Sequence, residues 1–137
     1  MLLLAACNTS SAISMEDEYL RLEISKGTFP ISERIAIEIT VIGEGIYFHG
    51  PCDWWFEEAT DSGWEVVGEC PKTNFTDEPF PQRPGNVMLV LLPTSDTGNE
   101  YTYNYVLNTG VYCYGISYGM QSGRSISYSP PFEVVDD

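Results

Sequence analysis

Residues 52–70, CDWWFEEATDSGWEVVGEC, restrict this chain more than any other stretch. Two strand-like runs, CDWWFEEA and WEVVGEC, flank ATDSG, a polar turn rich in Asp, Ser and Gly. Paired antiparallel, the arms set Phe56 opposite Val66, Trp54 opposite Gly68 and Cys52 opposite Cys70. One register then serves both an apolar face and a cysteine pair, because side chains on one face recur every two residues. A hairpin closed by a Cys52–Cys70 disulfide is expected. Its inner face carries Trp54, Phe56 and Val66, which leaves Trp55 and Val67 on the outer one.

The rest of the chain repeats this grain. Tyr19 to Ile24 alternates apolar and polar residues. Arg34 to Ile42 sets Ile35, Ile37, Ile39 and Val41 on one face and Ala36, Glu38 and Thr40 on the other. Between them KGTFPISE reads as a turn, since Pro30 cannot occupy a central strand position. IYFHG is a short strand before Gly50-Pro51. Pro71 to Pro84 holds four prolines and reads as a functional loop or a crossover between sheets. VMLVLLP is a nearly continuous apolar run suited to a buried strand. Glu100 to Leu107 sets Tyr101, Tyr103 and Tyr105 on one face. Val111 to Tyr118 is a strand, GMQSGR a hairpin loop, and Ser125 to Val135 a last strand bent at Pro130-Pro131. Eight or nine short strands, with turn signals every ten residues or so and no helical period, predict an all-β sandwich or barrel of about 7–9 strands.

At 137 residues with a net charge of −14, the chain is one domain by size and strongly acidic. Its six basic residues are scattered singly. Nucleic acid and electrostatic docking on anionic lipid need clustered Lys and Arg, so neither is a partner. A monomer is expected.

The chain opens MLLLAAC. Leu4-Ala5-Ala6-Cys7 resembles the lipobox of bacterial lipoproteins, whose pattern is Leu, small, small, Cys. The resemblance implies cleavage before Cys7 and lipid on its sulfur. Residues 1–6 then read as a truncated signal remnant, because a charged n-region and a full apolar stretch are missing before them. Residues 7–18, running into NTSSAISMEDE, are small, polar and then acidic, and read as a flexible tether. Residues 19–137 are the domain. No later stretch approaches the eighteen or so apolar residues of a spanning helix. The implied address is the cell envelope: lipid-anchored at the outer membrane, the cell surface or the periplasm. Asn8 after Cys7 leans towards the outer membrane.

The order of strands resembles the immunoglobulin-like domains common in bacterial surface and periplasmic lipoproteins. IAIEITV, WWFEEATDSGWEVV, and PGNVMLVLLP followed by TGVYCYGIS carry the likeness, over roughly Tyr19 to Val135. It implies an immunoglobulin-like antiparallel β-sandwich. It also makes Tyr112 a tyrosine corner, its ring buried and its hydroxyl bonded to nearby backbone. Antibody-type domains place a cysteine two residues after that tyrosine. Here Cys113 follows Tyr112 directly, so the two side chains face opposite ways.

The cysteines therefore sort as Cys7 for lipid, Cys52 with Cys70 in a disulfide, and Cys113 as a buried free thiol. An exported protein meets an oxidising compartment, which suits the pair. The alternative is a zinc site of His49, Cys52, Cys70 and Cys113, a legitimate ligand set without a close Cys-x-x-Cys. No cofactor or metal is otherwise implied.

No catalytic constellation is legible. His49 is the only histidine and stands beside Gly50-Pro51. Glu57 and Glu58 are adjacent, so on a strand they point to opposite faces and cannot form a glycosidase pair. Aromatic excess is the functional signal. Trp55, Tyr101, Tyr103 and Tyr105 form a candidate binding surface for an envelope protein or a glycan. The competing reading covers Trp55 with the Pro71–Pro84 loop and lets the tyrosines simply line the sheet. The expected function is a non-enzymatic, lipid-anchored binding or accessory module. The alternative is a structural or protease-inhibitor-like domain that recognises an envelope protein.

Overall fold

The computed structural model describes residues 13–71 and 79–137. The Leu4–Cys7 motif and the middle of the proline-rich connection lie outside the described residues. The elements in chain order are β1 Ser14–Glu16, β2 Leu20–Ile24, β3 Thr28–Pro30, β4 Ile35–Val41 and β5 Ile46–Phe48. A 3-10 turn at Pro51–Asp53 leads into β6 Trp54–Thr60 and β7 Gly63–Val67. Then follow β8 Phe80–Pro81, β9 Val87–Leu92, β10 Ser95–Asp96 and β11 Tyr105–Val106. β12 Gly110–Met120, β13 Gly123–Tyr128 and β14 Phe132–Val135 complete the chain. The fold is all-β, and it is a sandwich.

One sheet runs β1-β2-β4-β9, entirely antiparallel. The other is built on β12, whose eleven residues are long enough to be shared by several partners. Along one edge β12 pairs with β6 through Tyr112–Ile116 and with β5 through Tyr118–Met120. Along the other edge it pairs with β14 through Gly110–Tyr112 and with β13 through Gly115–Met120. β7 extends β6, β8 extends β5, and β3 joins β14 in parallel. β10 and β11 form a separate two-stranded ribbon.

The core is the alternation of β4 and β12 made physical. Ile35, Ile37, Ile39 and Val41 are fully buried, as are Leu20 and Leu22 beside them. They meet Tyr112, Tyr114, Ile116 and Tyr118 from the opposing sheet, with Phe56 and Phe132 between. Each such side chain contributes on the order of 1.5–3 kcal/mol by leaving water. The outer face of β12 carries small residues, Cys113, Gly115, Ser117 and Gly119. A Cβ on Gly115 would stand 2.9 Å from the ring of Tyr128 and 3.0 Å from that of Trp55. Glycine there lets aromatic rings lie flat on the sheet.

Several expectations are corrected. The tether reading of residues 7–18 fails at its end: Ser14–Glu16 form β1 on β2. Asp17 binds both sheets, accepting from the Tyr19 and Leu20 amides at 2.8 Å and from the Tyr118 and Ser127 hydroxyls. Thr28–Pro30, read as turn, is an edge strand, which Pro30 tolerates because it sits at the sheet margin. β9 is not buried on both faces. Val87, Leu89 and Leu91 are exposed, since no layer of described residues covers that side of the sheet. The loop expected at GMQSGR shrinks to Gln121-Ser122, with Met120 paired to Gly123. The last strand is two, broken at Ser129-Pro130-Pro131 because proline cannot donate to the ladder.

The hairpin is present but slips by one residue. Thr60 pairs with Gly63 across a two-residue loop, Asp61-Ser62, so Phe56 faces Val67 rather than Val66. A one-residue slip exchanges the faces of a strand. Val67 therefore packs on the core, and Val66 is 52% exposed. The cysteines meet despite the slip because neither sits in the ladder. Cys52 lies in the 3-10 turn, and Cys70 follows Gly68, which turns the chain at φ 79°. Their disulfide spans a Cα–Cα distance of 5.8 Å.

Candidate binding pocket

A pocket of about 190 Å³ opens where β9, the edge of the first sheet, faces β6 of the second. Its walls are the strands just described. β6 supplies Trp54 and Phe56, β12 supplies Tyr114, and β9 supplies Val90 and Leu92. The ribbon β10–β11 closes the third side with Asp96 and Tyr105, which lie opposite each other in the register, and Thr102 and Tyr103 lead into it. Alternation explains the placement. Trp54, Phe56, Val90 and Leu92 are the inward residues of their strands near the end of the core, where the two sheets part.

The rings hold one another edge-on. Phe56 packs against Tyr105 and against Tyr114, each at 5.0 Å between centroids, and Trp54 against Phe48 at 5.4 Å. Such arrangements suit ring quadrupoles and fix the lining in place. The Tyr105 hydroxyl donates to the Pro93 carbonyl at 2.7 Å, which ties the ribbon to the end of β9. Burial, helped by the Asp96 charge, holds the Tyr105 phenol well above its ordinary value. Burial does the same to Tyr114, and burial with Asp53 nearby raises Tyr103. The described lining is therefore neutral apart from Asp96. Asp53 is held by Arg124 at 2.9 Å, whereas Asp96 has no ion pair among the described residues.

Of the four aromatics expected to form a surface, three touch this pocket and one does not. Tyr103 and Tyr105 line it, but not as a row along one strand, because only Tyr105–Val106 is extended. Tyr105 is buried, Tyr103 half-buried, and Tyr101 lies 54% exposed in the preceding bend. Asn99 and Asn104 explain the bend. The Asn104 side chain accepts from the Asn99 amide, and the Asn99 side chain accepts from the Tyr101 amide. Trp55 is half-buried and its indole N–H donates to Glu57 at 2.9 Å. Its ring lies against Gly115 on the outer face, beside Tyr128. Sequence reasoning missed Trp54 and Tyr114 as lining residues. Both sit on the inner face, which reads as plain core until the gap between the sheets is known.

The other sites resolve as follows. Cys113 is fully buried but is not the free thiol expected. The zinc alternative fails because it requires thiolates, and Cys52 and Cys70 are joined to each other. His49 stacks edge-on against Tyr47 at 5.1 Å. Glu57 and Glu58 point to opposite faces, as adjacent strand residues must. Glu57 is buried against Trp55, and Glu58 reaches towards Gly110 and Tyr112. Tyr112 is fully buried, and its hydroxyl donates to the Asn108 carbonyl at 2.8 Å. The lipidation site expected at Cys7 lies outside the described residues. No helix of the described residues is long and apolar enough to cross a membrane. The sequence matches no protein-family model and no curated protein.

Proposed function

We propose that this chain is a lipid-anchored cell-envelope protein whose immunoglobulin-like sandwich is a non-catalytic binding module, and that it binds through the pocket between β9 and β6. The observation that carries the binding reading is the pocket itself: a preformed apolar cleft with a single carboxylate and rings locked by their neighbours. The Tyr112–Asn108 bond supports the immunoglobulin-like reading. The Leu4-Ala5-Ala6-Cys7 sequence supports the anchor, and the Cys52–Cys70 disulfide suits an exported protein.

Two experiments test the two halves. Cross-linking of the full chain to an envelope extract, compared with Tyr103→Ala, tests the pocket. Tyr103 is half-buried at the rim, so its loss leaves the core intact. A partner captured by the wild type and lost in the variant is expected; equal capture would remove the pocket from the reading. Mass spectrometry of the N-terminal peptide from native cells tests the anchor. A diacylglycerol thioether on Cys7 is expected. Absence of lipid from that peptide would overturn the anchor and leave the binding module standing.

A further inference from the structure

The geometry points to an alkylated ammonium group as the occupant of the β9–β6 pocket, held by the rings of Trp54, Tyr103, Tyr105 and Tyr114 and by the Asp96 carboxylate. This rests on the proposal that the pocket is a binding site, and it names the ligand class.

Three observations lead there. The first is the wall. Ring faces carry the negative end of their quadrupole, and they attract a cation most where water is excluded. The tyrosine phenols of the wall are protonated at neutral pH, and burial raises them further, so they act as neutral rings. The second is charge. Among the described residues Asp96 is the one carboxylate of the lining, and none of them brings a Lys or Arg to neutralise it. The neighbouring acid, Asp53, already has Arg124. A half-buried carboxylate with no ion pair among the described residues is open to a cation from outside, and the net charge of −14 draws cations in and repels anions.

The third is the shortage of hydrogen-bonding groups, which separates cations from one another and from sugars. The Tyr105 hydroxyl is committed to the Pro93 carbonyl at 2.7 Å. A sugar ring needs a partner for each of its several hydroxyls, and this lining is mostly apolar. A primary ammonium is strongly hydrated and has three donors to satisfy. An alkylated ammonium has its charge spread under methyl groups and needs no such partners. Aromatic walls with one carboxylate meet that requirement.

The test uses the full chain and NMR of its tryptophan and tyrosine ring protons, titrated with tetramethylammonium chloride, choline, ammonium chloride and the uncharged carbon isostere of choline. Saturable shifts with tetramethylammonium and choline are expected, with binding at least tenfold weaker for the isostere and for ammonium. Asp96→Asn keeps the shape of the site and is expected to bind choline at least tenfold more weakly, with its ring spectrum otherwise unchanged. Equal binding of the isostere, or undiminished binding by Asp96→Asn, would overturn the assignment of charge. Absence of any shift with the amines would also overturn it, as would saturable binding of a neutral sugar at the same rings. In either case the Tyr103→Ala capture experiment still reads whether the pocket binds at all, so the ligand class and the binding reading fail separately. Phosphatidylcholine vesicles added against free choline assign the source. Competition by vesicles marks a lipid headgroup, and its absence marks a free solute; both support the cation.

Discussion

Single residues hold this sandwich together at points where strands alone would not. Asp17 is one. Its carboxylate caps the entry to β2 and accepts from Tyr118 and Ser127, about a hundred residues away in sequence. Hydrogen bonds to a charged group contribute about 1.5–3 kcal/mol each. Asp17→Ala leaves the Tyr118 and Ser127 hydroxyls with each other at 3.1 Å but without their shared acceptor, and a loss of about 1–2 kcal/mol is expected in urea denaturation. A loss under about 0.5 kcal/mol would show that water replaces the carboxylate. Gly68 is another. At φ 79° it adopts a conformation that L side chains avoid, and a Cβ there would run into the Asn104 carbonyl oxygen. Gly68→Ala combines about 1–2 kcal/mol of backbone strain with that collision. Expected are a marked fall in thermal midpoint and disruption of the Glu69–Asn104 bridge, read as faster amide exchange at Glu69 and Asn104. An unchanged midpoint would mean the chain bends elsewhere.

At the level of elements, the hairpin β6–β7 and the central strand β12 set the geometry. The disulfide closes the hairpin from outside its ladder, with 18 residues of separation. In the chain-entropy model a loop of this length stabilises the fold by about 3 kcal/mol, mainly by restricting the unfolded chain. Cys52→Ser with Cys70→Ser is therefore expected to lower stability by about that amount while β6 stays paired with β12. Circular dichroism should retain its strand signal, and urea midpoints should fall. Loss of the strand signal would make the disulfide a condition of folding rather than an added constraint. β12 is legible from its sequence as a strand, but not as the hub. Its pairing with β5, β6, β13 and β14 depends on how far each neighbour extends, and no local residue encodes that.

Across the whole molecule, tyrosines make the fold sensitive to alkali. Burial, with Glu58 adding its charge, pushes Tyr112 up to about 12. Tyr105, Tyr114 and Tyr128 are raised as well, in each case first by burial. A phenol raised in the fold keeps its proton where the unfolded chain has lost it, from about pH 10 upward. Over that interval the unfolded state binds fewer protons, so stability falls as pH rises. It is fully present below about pH 10. Urea midpoints are expected to be flat from about pH 8 to 9.5 and to drop steeply beyond about pH 10. A flat profile to about pH 12 would show that these phenols ionise equally in both states.

The sequence by itself determined the class of fold and much of its layout. Period-two alternation over Leu20–Ile24 and Ile35–Val41 survives tertiary packing because each face meets one environment along its whole length. The cysteine pairing was legible because 52 and 70 stand just beyond the two arms of one hairpin, and Tyr112 because its hydroxyl finds its acceptor four residues upstream. What failed was whatever depends on a choice between near-equal local options. The hairpin can close on a two- or three-residue loop, and packing of Val67 rather than Val66 against the core chose the shorter one. Whether β9 is covered depends on what lies outside it, which its own apolar residues do not reveal. The aromatic row at 101–105 broke because asparagine side chains offered its backbone partners that a ladder would otherwise have supplied. The pocket belongs to tertiary structure alone. It is the space left where two sheets diverge, and its walls come from β6, β9, β10, β11 and β12, whose approach only the folded chain creates.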